Sequence, residues 1–147
     1  IAGYPVSGVR VAVTDGKEHP VDSKPIAFEI AGREAFKLAF KEAGAMLLEP
    51  IMMVKIMVPE ANMGDVLGDL NTRRARVMGM DTDRGHSTIT ATVPLAEMQR
   101  YTTQLRSITG GRGIFSMEFE RYENVPPHLT QELVAIRQKE LESKKEE

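Results

Sequence analysis

Arginine is the residue type whose number and placement here are suited to chemistry. Eight of the eleven arginines, Arg73, Arg74, Arg76, Arg84, Arg100, Arg106, Arg112 and Arg121, fall between residues 49 and 124, a segment with one lysine, Lys55. A planar guanidinium forks onto phosphates and stacks on bases in ways an ammonium does not. The pattern alone still favours a solvated face over a binding one. The histidines His19, His86 and His128 are scattered, no HExxH occurs, and no carboxylate cluster has ligand spacing, so neither a catalytic residue nor a metal site is expected. The one glycine-rich loop, Gly110-Gly111-Arg112-Gly113, lacks the spacing and the Lys-Ser/Thr of a phosphate cradle and leads into a strand rather than a helix. The absence of cysteine rules out disulfides, thiolate metal sites and a cysteine nucleophile, and fits a reducing compartment.

Position of charge matters more than its total. Residues 1–48 hold six basic and six acidic side chains, 49–124 nine and ten, and 125–147 four and five, consistent with the net charge of −2. No segment has the basic excess of a free-standing nucleic-acid binder. No apolar run is long enough to span a membrane, so a cytoplasmic protein is expected. The opening at Ile1-Ala2-Gly3-Tyr4-Pro5, without an initiator methionine and almost directly on a strand, suggests a segment of a longer polypeptide.

The elements that must position these side chains centre on Glu49 to Met80. Ile51 to Val58, rich in Val, Ile and Met and bounded by Pro50 and Pro59, reads as a strand buried on at least one face. Beyond Pro59, Met63, Val66, Leu67 and Leu70 recur at helical spacing. Ala75 to Met80 reads as a second strand, ending in a loop at Asp81 to Gly85. His86 to Val93 alternates Ile89, Ala91 and Val93 against Thr88, Thr90 and Thr92, as a strand with one buried face does. Leu95 to about Ile108 reads as a helix with Leu95, Met98, Thr102 and Leu105 on one side, closed by Gly110-Gly111. Ile114 to Tyr122 alternates Phe115, Met117 and Phe119 against Ser116, Glu118 and Glu120. The order βαββαβ is the split βαβ of a ferredoxin-like α+β sandwich, complete within residues 49–124.

On the N-terminal side, Val6 to Thr14 reads as a half-buried strand. A helix follows to about Ala43, N-capped by Asp22 or Ser23, so apolar that it needs cover on more than one side. Residues 1–48 are therefore expected to be a truncated α+β domain whose other strands lie upstream. Val125-Pro126-Pro127 reads as a linker, and a helix from Leu129 to about Leu141 is expected to pack back on the first domain before a solvated tail, Glu142 to Glu147. A sandwich of this kind can be an acylphosphatase-like enzyme, but the loop Pro59 to Met63 carries no arginine to cradle a phosphate. A stand-alone ligand-binding module remains open on these residues.

A family resemblance narrows the choice. Leu48-Glu49-Pro50-Ile51, Gly64 to Arg74, Val93-Pro94-Leu95-Ala96-Glu97-Met98, Leu105-Arg106-Ser107 and Gly111-Arg112-Gly113 resemble the fifth domain of bacterial elongation factor G. Asp15 to Ser23 and Ala27 to Gly32 resemble the second half of its fourth domain. The resemblance covers nearly the whole chain in order and implies three segments: residues 1–48 from domain IV, 49–124 as domain V, and 125–147 as linker, C-terminal helix and tail.

It implies a part of a translational GTPase that moves tRNA and mRNA through the ribosome, or of a paralogue acting in ribosome recycling or protection. GTP and magnesium would belong to a GTPase domain outside this segment, which itself would need no cofactor. The implied partner is the ribosome: rRNA of both subunits, the tRNA–mRNA duplex in the decoding region, and the stalk base. No membrane partner is implied, and a monomer is expected. The loop Gly16, Lys17, Glu18, His19 and Pro20 matches a tip loop that enters the decoding region. Arg106, Ser107, Thr109 and Arg112 match positions near large-subunit rRNA, in a stretch where Ile108 and Gly110 replace the family's frequent Lys and Gln. Arg73 and Arg74 match a family pair at the end of a helix, where compensation of the helix dipole explains them equally well.

Overall fold

Between Pro50 and Pro59 the chain has only β-favouring and thioether residues around one lysine, and it forms the central strand of a sheet. The computed structural model describes residues 2–145. They divide into a unit of residues 48–125 and a second unit made of the chain up to residue 47 and from residue 126 onward.

In the first of these, β1 (Leu48–Pro59) leads through a 3-10 turn (Glu60–Asn62) to α2 (Met63–Thr72), the helix α1 (Pro25–Glu42) lying earlier in the chain. Strands β2 (Arg76–Asp83) and β3 (His86–Pro94) follow, then a 3-10 turn (Leu95–Met98), α3 (Tyr101–Thr109) and β4 (Ile114–Asn124). The sheet order is β2-β3-β1-β4, and every neighbouring pair is antiparallel. Each helix thus crosses over one intervening strand, which is the ferredoxin-like α+β arrangement expected from the pattern. Val54, Ile56 and Val58 of β1 and Ile89, Ala91 and Val93 of β3 are buried against Val66 and Leu70 of α2 and Tyr101 and Leu105 of α3. Removing each such aliphatic side chain from water is worth about 1.5–3 kcal/mol, so the two inner strands carry most of the unit's cohesion.

Several details depart from the sequence reading. The residues Asp81 to Asp83 continue β2 rather than forming a loop, so the hairpin closes on Arg84 and Gly85 alone. The expected helix from Leu95 is broken, because Gln99 is extended and Arg100 is left-handed, with φ 57°. This break rotates α3 so that Tyr101, not Thr102, enters the core. On β4 the alternation fails at a bulge: Met52 pairs with Phe119 while Ile51 pairs with Arg121, leaving one extra residue on β4. The Phe119 and Tyr122 rings then meet tilted at 58°, with centroids 5.1 Å apart, and both are largely exposed.

The other unit is less buried. No residue of α1 is buried, and Ile26, Phe28, Ile30 and Leu38 face solvent. The strand expected over Val6 to Thr14 is absent: the stretch pairs with no ladder among the described residues, and Val9, Val11 and Val13 are exposed. An extended segment becomes a strand only when its backbone groups find a partner, which alternation of side chains does not guarantee. The C-terminal helix α4 (Pro127–Ser143) does pack back within this unit: the Arg137 guanidinium lies 5.7 Å from the Tyr4 ring centroid, and a side chain on Gly3 would meet Leu141. It starts earlier and runs further than expected, so Glu142 and Ser143 are helical; the tail's Glu146 and Glu147 lie outside the described residues.

Candidate functional site

The loop before α1 is held by its own short-range bonds. Asp15 Oδ1 accepts from Gly16 N at 2.8 Å. The Ser23 hydroxyl accepts from the His19 backbone N–H, while Ser23 N donates to His19 O at 3.2 Å. Ser23 is thereby spent on the loop, and the residue that caps α1 is Lys24, without a side-chain bond. His19 Nδ1 accepts from the backbone N–H groups of Val21 and Asp22, each at 3.3 Å, with Asp22 Oδ2 at 3.4 Å. A ring whose Nδ1 accepts carries its proton on Nε2. The exposed His19 thus ties the loop with one nitrogen and offers a donor with the other. Lys17, Glu18, His19, Asp22, Phe28 and Ala31 line a hollow of about 430 Å³ between the loop and α1.

At the end of α3 the glycines Gly110 and Gly111 are left-handed, with φ 60° and 83°. Gly111 N donates to Arg106 O at 2.8 Å, a Schellman closure that turns the chain sharply away from the helix. Thr109, with no exposed surface, latches the loop: its hydroxyl donates to Leu105 O at 2.8 Å and accepts from Gly113 N at 2.8 Å. A Cβ at Gly113 would lie 2.9 Å from both Leu105 Cγ and Thr109 Oγ1, so loop and helix touch through bare backbone there. Arg106 and Ser107 are exposed, and Arg112 is held by a bond from its Nε to Thr109 O at 3.2 Å. A groove of about 300 Å³ beside them is lined by Thr102, Leu105, Arg106, Gly113, Ile114 and Phe115. The arrangement presents two guanidiniums and accessible backbone, a surface suited to phosphate. Thr109 belongs to its scaffold rather than its face.

Arg73 and Arg74 are occupied inside the fold. Arg73 bonds Asp69 Oδ2 at 2.8 Å and lies 4.9 Å from the Tyr101 ring centroid. Arg74, left-handed at φ 54°, forks onto Glu49 at 2.7 and 3.0 Å and bonds Glu97 Oε1 at 3.0 Å. The hydrogen bonds it donates to Glu49, with smaller help from Glu97, hold its guanidinium above its already high ordinary pKa. The sequence reading missed this clamp; the left-handed residue just after a helix, together with acids 25 and 23 residues away, is not a local signal. Among the described residues no group of three or more His, Asp or Glu could hold a metal, and no helix is long and apolar enough to cross a membrane.

Comparison with known proteins matches the chain in two stretches that meet near residue 45. Residues 46–133 match the family described as elongation factor G C-terminus, and residues 1–44 match elongation factor G, domain IV. A crystal structure of a protein from Thermus thermophilus superposes with a TM-score of 0.72 at 45% sequence identity, covering 85% of this chain. The chain spans 19% of that protein's length. With more than half of its residues in one match and most of the remainder in the adjoining domain of the same protein type, this chain belongs to the elongation factor G family.

Proposed function

We propose that these residues form the ribosome-contacting part of an elongation factor G that drives GTP-dependent movement of tRNA and mRNA. The Gly16 to Pro20 loop with His19 would approach the tRNA–mRNA duplex in the decoding region. Arg106, Ser107 and Arg112 would approach large-subunit rRNA near the stalk base, on a loop shaped by Thr109. The observation that carries this reading is the latched loop after α3, where exposed arginines flank backbone held flat against a helix end. The bond pattern of His19 supports a packing and hydrogen-bonding role, since one ring nitrogen is already engaged in shaping the loop. GTP and magnesium would act in a domain other than these two.

With a net charge of −2, this chain gains little non-specific attraction to RNA, which suits a factor that must leave the ribosome each cycle. The test uses the complete natural protein carrying this chain, in single-round translocation and in subunit splitting with recycling factor. His19→Ala is expected to slow translocation by about tenfold, equivalent to losing one contact worth about 1.4 kcal/mol in the transition state. An unchanged rate would remove His19 from the mechanism. Splitting without translocation by the unaltered protein would replace the translocation reading with that of a recycling paralogue.

A further inference from the structure

Among the described residues three non-glycine residues have left-handed backbone, and all three are arginines: Arg74, Arg84 and Arg100. A side chain is disfavoured in that conformation, so each position asks what the arginine contributes that glycine or asparagine would not. For Arg74 the answer is internal, the three hydrogen bonds to Glu49 and Glu97. For Arg84 it is not. This residue and Gly85, with φ 48° and 80°, form the two-residue apex of the β2–β3 hairpin, where asparagine and glycine are the favoured pair. The Arg84 side chain is 92% exposed, and its ionic neighbour, Asp83 Oδ1, stands at 4.0 Å.

The apex is also fixed in place. Glu60 N donates to Gly85 O at 2.9 Å, and the Thr82 and Ser87 hydroxyls bond at 3.2 Å just beneath. Two residues beyond Glu60, Asn62 Nδ2 donates to Ile108 O at 3.1 Å, in the last turn of α3. Two hydrogen bonds therefore connect the hairpin apex, through the turn after β1, to the helix end that carries Arg106 and the Gly110 to Gly113 loop. Arg84, Arg106 and Arg112 share one end of the sandwich. Arg74 lies at the other, beside the start of β1, and Arg100 sits at the opposite end of α3 from the loop.

We propose that Arg84 is a further RNA-contacting residue, its guanidinium meeting a phosphate of large-subunit rRNA on the surface that Arg106 and Arg112 begin; this rests on the ribosome-contacting reading above. A guanidinium without a tight internal carboxylate, on a rigid apex, is placed to fork onto a phosphate. Asp83 and Glu60 keep the local charge close to neutral, so the contact contributes register more than bulk attraction.

The test measures binding of the complete natural protein to purified large ribosomal subunits across a salt series. Arg84→Asn keeps a residue that tolerates the left-handed turn and removes the cation, so melting temperature and circular dichroism should not change. Affinity should fall about 3- to 10-fold, with the salt slope smaller by about one, and Arg84→Lys should restore the slope. A loss of affinity with unchanged slope would overturn the phosphate contact. Arg106→Ala and Arg112→Ala run alongside: if they weaken binding and Arg84→Asn does not, this inference fails while the broader reading stands. If none of the three alters binding, the broader reading fails with it. To tell RNA from an acidic protein, Asp83→Cys, with any native cysteines elsewhere replaced, carries a tethered iron chelate next to the intact Arg84. Hydroxyl-radical cuts in rRNA are expected, and sustained binding without rRNA cuts would assign the contact to protein and overturn the proposal.

Discussion

Tyr101 shows how one buried side chain sets a measurable property. Its hydroxyl has no hydrogen-bond partner, Phe115 meets its ring edge-to-face at 4.9 Å, and Arg73 covers the ring. Burial, with a smaller contribution from the Asp69 charge, pushes its pKa up to about 12. The folded state therefore holds this proton after the unfolded chain has released it, so stability contributed below pH 10 is lost as the pH rises from about 10 to 12. The full loss is about 2–3 kcal/mol, about half of it reached by pH 11, and Tyr101→Phe should abolish that part of it at little cost at neutral pH, since no hydrogen bond is broken. Denaturant titrations at pH 8 and pH 11 check this; an equal alkaline loss in both proteins would contradict it. Gly113 makes the complementary case, in which the smallest side chain is required. Gly113→Ala must push Leu105 or Thr109 aside and should destabilise by about 1–3 kcal/mol, as read by the melting temperature. If the proposed ribosome contact holds, it should also weaken large-subunit binding by displacing the loop that bears Arg112.

At the scale of elements, the Arg74 clamp joins three pieces that are remote in sequence: the end of α2, the start of β1 at Glu49 and the 3-10 turn at Glu97. Arg74→Ala leaves the nearly buried Glu49 carboxylate without its fork and should cost about 2–4 kcal/mol, whereas Arg74→Lys keeps the charge but not the paired geometry and should recover only part. Equal stability of the two variants would show that geometry contributes nothing. Such a clamp is invisible to periodicity, which explains why Arg73 and Arg74 read from sequence only as a family pair at a helix end, equally well explained by compensation of the helix dipole. What was legible followed local rules. Pro59 ends β1, although Pro50, expected to open it, lies inside the strand; the spacing of Met63, Val66, Leu67 and Leu70 marks α2, and paired glycines end α3. What was not legible depended on partners: the bulge opposite Ile51 and Met52, the missing ladder for Val6 to Thr14, and the Gln99–Arg100 break that replaced Thr102 with Tyr101 in the core. The loop residues of the candidate site were found by resemblance, but Thr109's latch and the constraint on Gly113 became visible only in three dimensions.

For the whole molecule, burial is concentrated in residues 48–125. Val54, Ile56, Val58, Ile89 and Val93 have no exposed surface, while α1 has no buried residue. Amide exchange should therefore be slowest in β1 and β3 and fast in α1, and protection of α1 matching that of β1 would refute this assignment of stability. The β1–β4 ladder pairs Leu48 with Asn124, the first and last strand residues of that unit, so its chain enters and leaves side by side. Tension applied through those two points would not load the ladder all at once. It would part β1 from β4 one hydrogen-bonded pair at a time, beginning at Leu48 and Asn124 and travelling toward Met57 and Ile114, as a zip opens. A domain held together by a buried core would in this direction yield to a small pull.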